Sequence, residues 1–161
     1  MRLSPRLKAI LSSVEGRVLA DIGTDHGYVP IIACLEKRVE RAVACDACPG
    51  PLARAQENIV SAGLENRIET RLGFGLRPLK YGEVDCVVIS GMGGMNIIEI
   101  LKDPAVKLPI KRLIVQPQRD IFLVKDTLAD MGFEIVSETE VKDRGRTYSI
   151  ITSESLYKSE V

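Results

Sequence analysis

Between Val18 and Gly27 the chain reads Val-Leu-Ala-Asp-Ile-Gly-Thr-Asp-His-Gly. An apolar run leads into an acid, then glycines, then a second apolar stretch with helical character. That order describes a buried parallel strand breaking into a tight turn, where Gly23 and Gly27 let the backbone approach a ligand closely. A dinucleotide turn reads G-x-G-x-x-G, with its acid about 20 residues downstream. Here Asp21 precedes the first glycine and the spacing is G-x-x-x-G. An acid at the strand tip suits a ligand with a cationic ammonium group better than a pyrophosphate. S-adenosylmethionine, with an amino-acid end and a sulfonium, is such a ligand; other nucleotides and an ordinary strand–loop–helix are the alternatives at this turn.

Further along, four more clusters fall where strands should end. Asp46 can accept both hydroxyls of a ribose, or stand as a solvated strand-end acid. Gly73 and Gly75 flank a slot for an adenine, with Phe74 either stacking on the base or turned inward as a core aromatic. Ser90-Gly91-Met92-Gly93-Gly94 removes side-chain bulk where a methyl group would meet its acceptor. No Asn/Asp-Pro-Pro-aromatic tetrapeptide is present to hold an exocyclic amine. A ring nitrogen, with its own lone pair, needs only in-line placement and exclusion of water. His26 and Asp25 are candidate proton acceptors or substrate contacts, or else a cap on the next helix. Gln116-Pro117-Gln118 closes the series.

The elements that must position these residues follow from periodicity. Ser4-Pro5 opens a helix whose apolar stripe is Leu3, Leu7, Ile10, Leu11 and Val14. Strands are expected at about 17–22, 42–46, 67–72, 85–90 and 112–115, and helices at 28–38, from Pro49 or Pro51 to Gly63, at 94–101 and at 120–131. Segments 133–141 and 146–152 are too close together for a crossover and read as a hairpin. Five strand–helix units followed by an antiparallel hairpin predict a three-layer α/β/α, Rossmann-like sheet, the hairpin marking a methyltransferase rather than an all-parallel dehydrogenase.

With 161 residues, the chain is expected to be a single domain, 1–161. Acids and bases balance at 22 each, so no global field draws it to nucleic acid or membrane. No apolar run is long enough to span a bilayer and no signal-peptide core is present, so a cytoplasmic location is expected. Cys45 and Cys48 form C-x-x-C without a second pair, and free thiols are expected there, with no metal.

Leu3-Ser-Pro-Arg-Leu7, Ala20-Asp-Ile-Gly-Thr-Asp-His-Gly-Tyr28, Gly50-Pro-Leu-Ala53, Arg71-Leu-Gly-x-Gly-Leu76, Gly91-Met-Gly-Gly94 and Gln116-Pro117 together resemble the bacterial TrmK family, over essentially the whole chain. Members of that family methylate N1 of the adenine at position 22 of tRNA, using S-adenosylmethionine. The resemblance implies that Arg6, Asp21, Gly23, Thr24, Gly27, Asp46, Ala47, Gly73, Phe74, Gly75, Ser90 and Gly91 hold the cofactor. It places His26, Asp25, Met92 and Gly93 at the reacting centre, and Tyr28, Gly94, Gln116 and Pro117 against the acceptor adenine.

The chain departs from the family pattern at three points. Phe74 stands where L-G-D-G-L has an aspartate, so stacking replaces an acceptor for the adenine amino group. Gln118 replaces the asparagine of Q-P-N. Family members also continue into a helical, coiled-coil-like domain, whereas the sequence here runs to Val161. RNA grip is therefore expected from local patches, one of Arg2, Arg6 and Lys8 and another of Lys107, Lys111, Arg112 and Arg119. A small-molecule acceptor and a non-catalytic cofactor-binding module are the competing readings, and the oligomeric state is left open.

Overall fold

The computed structural model describes residues 3–156. In chain order its elements are α1 (Pro5–Ser13), β1 (Val18–Ile22), α2 (Tyr28–Leu35), β2 (Arg41–Asp46), α3 (Pro49–Ser61), β3 (Ile68–Leu72), β4 (Cys86–Met92), α4 (Gly94–Leu101), β5 (Arg112–Pro117), α5 (Ile121–Asp130), β6 (Phe133–Asp143) and β7 (Arg146–Ser155). Seven strands form one sheet in the order β3-β2-β1-β4-β5-β7-β6. The first five are parallel, and β7 runs antiparallel between β5 and β6. The α/β fold and its closing hairpin are those expected from the sequence.

Strand alternation sorts the core into two layers. Val18, Ala20 and Ile22 of β1, with Val87, Ile89, Leu113 and Val115, pack on one face against α4 and α5. Leu19, Ala42, Ala44, Cys86, Val88 and Ile114 pack on the other, against α1, α2 and α3. Right-handed crossovers put helices on opposite faces once the chain reverses its direction of travel across the sheet. That reversal falls between β1 and β4, which are neighbours, and opens a crevice beyond their carboxyl ends.

The sequence reading differs in its unit count and at several element ends, α2 for one stopping at Leu35 ahead of the left-handed turn at Lys37. No helix lies between β3 and β4, so there are four strand–helix units rather than five. Residues 73–85 cross as a series of turns with Leu76 and Leu79 buried beneath them. Arg71 fastens this crossing, donating to the Pro78 carbonyl at 3.0 Å and pairing with Glu83. Strands β4 to β7 also run past their expected ends, because residues such as Met92, Pro117 and Ser155 continue the pairing beyond the apolar runs that mark the strands in sequence. Among the described residues, no helix is long and apolar enough to cross a membrane.

Candidate active site

The polar groups at the crevice follow from strand parity. Leu19, Ala44, Val88 and Ile114 face the α1–α3 layer, so the residues two further along, Asp21, Asp46, Ser90 and Gln116, emerge on that same side at the carboxyl rim. Four separate strands thus deliver a polar residue to one edge.

Two adjoining cavities occupy that edge. The smaller, about 310 Å³, is lined by Ile22, Gly23, Cys45, Asp46, Ala47, Gly73, Phe74, Gly75, Met92, Asn96, Glu99 and Ile100. The larger, about 730 Å³, has Arg6, Asp21, Thr24, Asp25, His26, Tyr28, Ser90 and Gly91 in its walls, together with Gln118, Asp143, Arg144 and Tyr148. Gly23 and Met92 line both. A Cβ on Gly23 would lie 2.6 Å from Met92 Cε, and its φ of +71° already disfavours a side chain. The junction between the cavities is therefore narrow and depends on this glycine.

Asp21 is 3% exposed. Its Oδ2 accepts from Thr24 Oγ1 at 2.9 Å, while Oδ1 has no hydrogen-bond partner among the described residues. Burial pushes its carboxyl up to about 7, the Thr24 bond opposes the rise, and the neighbouring Asp46 carboxylate adds to it. A cation arriving at Asp21 would remove that penalty. Asp46 spans the turn after β1: its Oδ2 accepts from Asp25 N at 3.1 Å and its Oδ1 from Cys48 N at 3.0 Å. Each oxygen keeps a second lone pair for a ligand hydroxyl. The same turn is pinned from below, where Gly23 N and Thr24 N both donate to the Cys45 carbonyl at 2.9 Å.

Phe74 is 37% exposed, so it is not an inward core aromatic. Its ring lines the smaller cavity and carries the Arg77 guanidinium 5.4 Å from its centroid. Arg77 is itself held by Asp103, its Nε 2.7 Å from Oδ2. His26 stacks on Tyr28, with ring centroids 5.1 Å apart, and its Nε2 lies 3.6 Å from Asp25 Oδ2. Asp25, at φ +52°, also pairs with Arg54. Gly27 is the N-cap of α2, where an added Cβ would press on Ala55.

Not every expected residue faces a cavity. Gly94 is buried, and a Cβ there would sit 2.4 Å from the Arg119 carbonyl oxygen; this glycine lets α4 pack against the start of α5. Gly93 is the N-cap of that helix. Pro117 is buried at the end of β5. Gln116 is 1% exposed and acts on the site from behind: its Oε1 accepts from Arg6 Nη1 at 3.2 Å and from Gly91 N at 3.1 Å. The expected basic patches also come apart. Lys107, Lys111 and Arg112 sit at or before the start of β5, the opposite rim from Arg119, and Arg112 is bound to Glu154 and Glu15. Arg6 turns into the larger cavity, away from Lys8, and Arg2 lies outside the described residues.

Sequence reasoning missed Asn96, Glu99 and Ile100 of α4 and Asp143, Arg144 and Tyr148 of the hairpin. The first group has a readable signal, since positions 96, 99 and 100 share one helix face. The hairpin gives none, because only the insertion of β7 beside β5 brings its tip to the crevice. Cys34, Cys45 and Cys86 are buried free thiols and Cys48 is an exposed one. Burial pushes the Cys45 thiol up to about 12.

A methyltransferase-domain family model matches residues 3–151. The tRNA (adenine(22)-N(1))-methyltransferase of Bacillus subtilis is 34% identical over 157 residues, covering 96% of this chain, which spans 66% of that relative's length. The solved structure of B. subtilis TrmK superposes with a TM-score of 0.88 at 30% identity, covering 98% of this chain and 68% of that one. A Streptococcus pneumoniae protein solved with S-adenosyl-L-methionine matches with a TM-score of 0.88 at 32% identity, covering 96% of this chain and 73% of that one. By strand order, by the acids at its strand tips and by these likenesses along nearly its whole length, the chain belongs to the TrmK family of methyltransferases.

Proposed function

We propose that this chain is an S-adenosylmethionine-dependent methyltransferase that modifies N1 of an adenine in tRNA. The observation that carries the reading is the paired cavity at the sheet's switch point, with Asp46 in one half, Asp21 in the other and the Gly23–Met92 junction between. The residues fit the cofactor. Asp46 offers lone pairs to a ribose, Phe74, Gly73 and Gly75 border an apolar slot for adenine, and Asp21 presents a free carboxylate oxygen to the amino-acid end. Arg6, in the same cavity wall as Asp21, suits the carboxylate of that end. When bound, the cofactor supplies an electrophilic methyl group on a sulfonium.

The acceptor half is bordered by Tyr28, His26, Ser90, Gly91 and Met92. A flipped adenine can lie against the stacked His26–Tyr28 pair. Because a ring nitrogen presents its own lone pair, no side chain has to remove a proton before transfer. The work of these residues is alignment and exclusion of water. Asp25, in the wall of the same cavity, places a carboxylate near an adenine that becomes cationic on N1 methylation. The single sheet and its two core layers support one methyltransferase domain, and a tRNA acceptor implies action in the cytoplasm.

The test is to incubate the protein with methyl-labelled S-adenosylmethionine and bulk tRNA, then digest to nucleosides. Label in 1-methyladenosine is the expected result. Label in another nucleoside, or none in RNA, rejects the assignment and favours a different acceptor.

A further inference from the structure

The last two strands are the longest in the sheet, and only part of their length belongs to it. β7 pairs with β5 through residues 151–154. Residues 146–150 pair with β6 alone, in five pairs from Thr139↔Ile150 to Asp143↔Arg146. The hairpin therefore continues as a two-stranded arm, roughly 16 Å long at the rise of an extended chain. Since β6 runs parallel to β1–β5, the arm projects from the same rim that carries the active site.

The arm is held in place. Val141 and Tyr148 pack on the layer containing α1. Asp143 Oδ2 accepts from Arg6 N at 3.3 Å, and the Arg6 guanidinium lies over the Tyr148 ring, 5.7 Å from its centroid. Asp143, Arg144 and Tyr148 form one wall of the larger cavity, alongside Asp21, Ser90 and Met92.

Its tip reads Lys142-Asp143-Arg144-Gly145-Arg146, three cations and one carboxylate. That carboxylate is occupied by the Arg6 backbone. Lys142, Arg144 and Arg146 are exposed, and their side chains make no hydrogen bond or ion pair among the described residues. Most other arginines near the crevice are engaged: Arg54 with Asp25, Arg77 with Asp103 and Arg6 with Gln116. In a chain with no net charge, unpaired cations beside the acceptor cavity are a local feature, and a phosphate backbone is the partner they match.

We infer that the β6–β7 arm is an RNA-docking element, its three cations engaging backbone phosphates next to the adenine presented to the larger cavity. This rests on the tRNA methyltransferase reading. The cations contact no base edge in this role, so they supply affinity and placement rather than sequence choice.

The test compares two charge-removal variants of the full chain. One carries Lys142→Gln, Arg144→Gln and Arg146→Gln. The other carries Lys107→Gln and Lys111→Gln, removing charge from the opposite rim. Fluorescence anisotropy with labelled bulk tRNA is measured over a series of salt concentrations, with a thermal melt to establish folding. For the arm variant, Kd is expected to rise by about tenfold or more, and the slope of log Kd against log salt to fall by about 2 to 3, near one per lost phosphate contact. The opposite-rim variant is expected to bind as the parent does. Equal behaviour of the two variants, or no RNA binding by the parent, overturns the inference. Arm-dependent RNA binding without methyl transfer would instead sink the proposed activity and leave the docking element standing. Should the triple variant fail to fold, Arg146→Gln alone is read by its salt slope, expected to fall by about one.

Discussion

Gln116 ties two ends of the site together through one oxygen, holding Arg6 from α1 and the Gly91 amide from the loop after β4. Replacing it by leucine leaves a guanidinium and a buried-side N–H without their acceptor, a loss of about 1–3 kcal/mol. Gln116→Leu is expected to weaken S-adenosylhomocysteine by about tenfold in a calorimetric titration. Binding of 5′-methylthioadenosine, which lacks the amino-acid end, should stay nearly unchanged. Gln116→Glu keeps the acceptor and should recover much of the loss. Asp21 makes a second prediction. Its folded carboxyl titrates at about 7, against about 4 in an unfolded chain. The proton is thus held more tightly when folded, and the associated stability is full below about pH 4 and lost as pH rises through about 7. Without ligand, the Tm contribution of this group falls from pH 5 to pH 8, and Asp21→Asn should flatten the fall. A ligand cation selects the ionised form, so S-adenosylhomocysteine affinity is expected to rise by about tenfold from pH 6 to pH 8. An affinity independent of pH would remove Asp21 from the amino-acid end.

Among the elements, α4 and α5 show how a glycine assigned to chemistry can serve packing. Gly94 belongs to a loop whose composition suggests close approach to a reacting centre. The structure uses it instead to admit the Arg119 carbonyl. Gly94→Ala is expected to lower the Tm by roughly 5 °C, as overpacking in a chain of this size does; an unchanged Tm would contradict that account. The elements themselves were legible wherever one period dominated. Ser4 does cap α1, its Oγ accepting from Leu7 N at 3.2 Å, as Ser-Pro predicts. No helix was expected between β3 and β4, yet the turns that cross there were not legible as a core segment, because Leu76 and Leu79 are buried without a repeating pattern. The extra length of β6 and β7 was hidden because it falls on polar residues, Lys142 and Asp143 in one strand and Ser153 to Ser155 in the other.

At the scale of the whole molecule, the acids at the strand tips were readable because each follows an apolar strand, and strand parity then fixes the face on which it emerges. What no local pattern carries is the sheet order. Placing β7 between β5 and β6 brings Tyr148 and Arg144 to the crevice. The proposed function requires Asp46 and Asp21 to grip opposite ends of one sulfonium nucleotide across the Gly23–Met92 junction. A crystal structure with S-adenosylhomocysteine tests it directly. The predicted result has the ribose hydroxyls on Asp46, the adenine beside Phe74 in the smaller cavity and the amino group on Asp21 in the larger. A ligand bound elsewhere, or bound here with either carboxylate turned away from it, would contradict the claim.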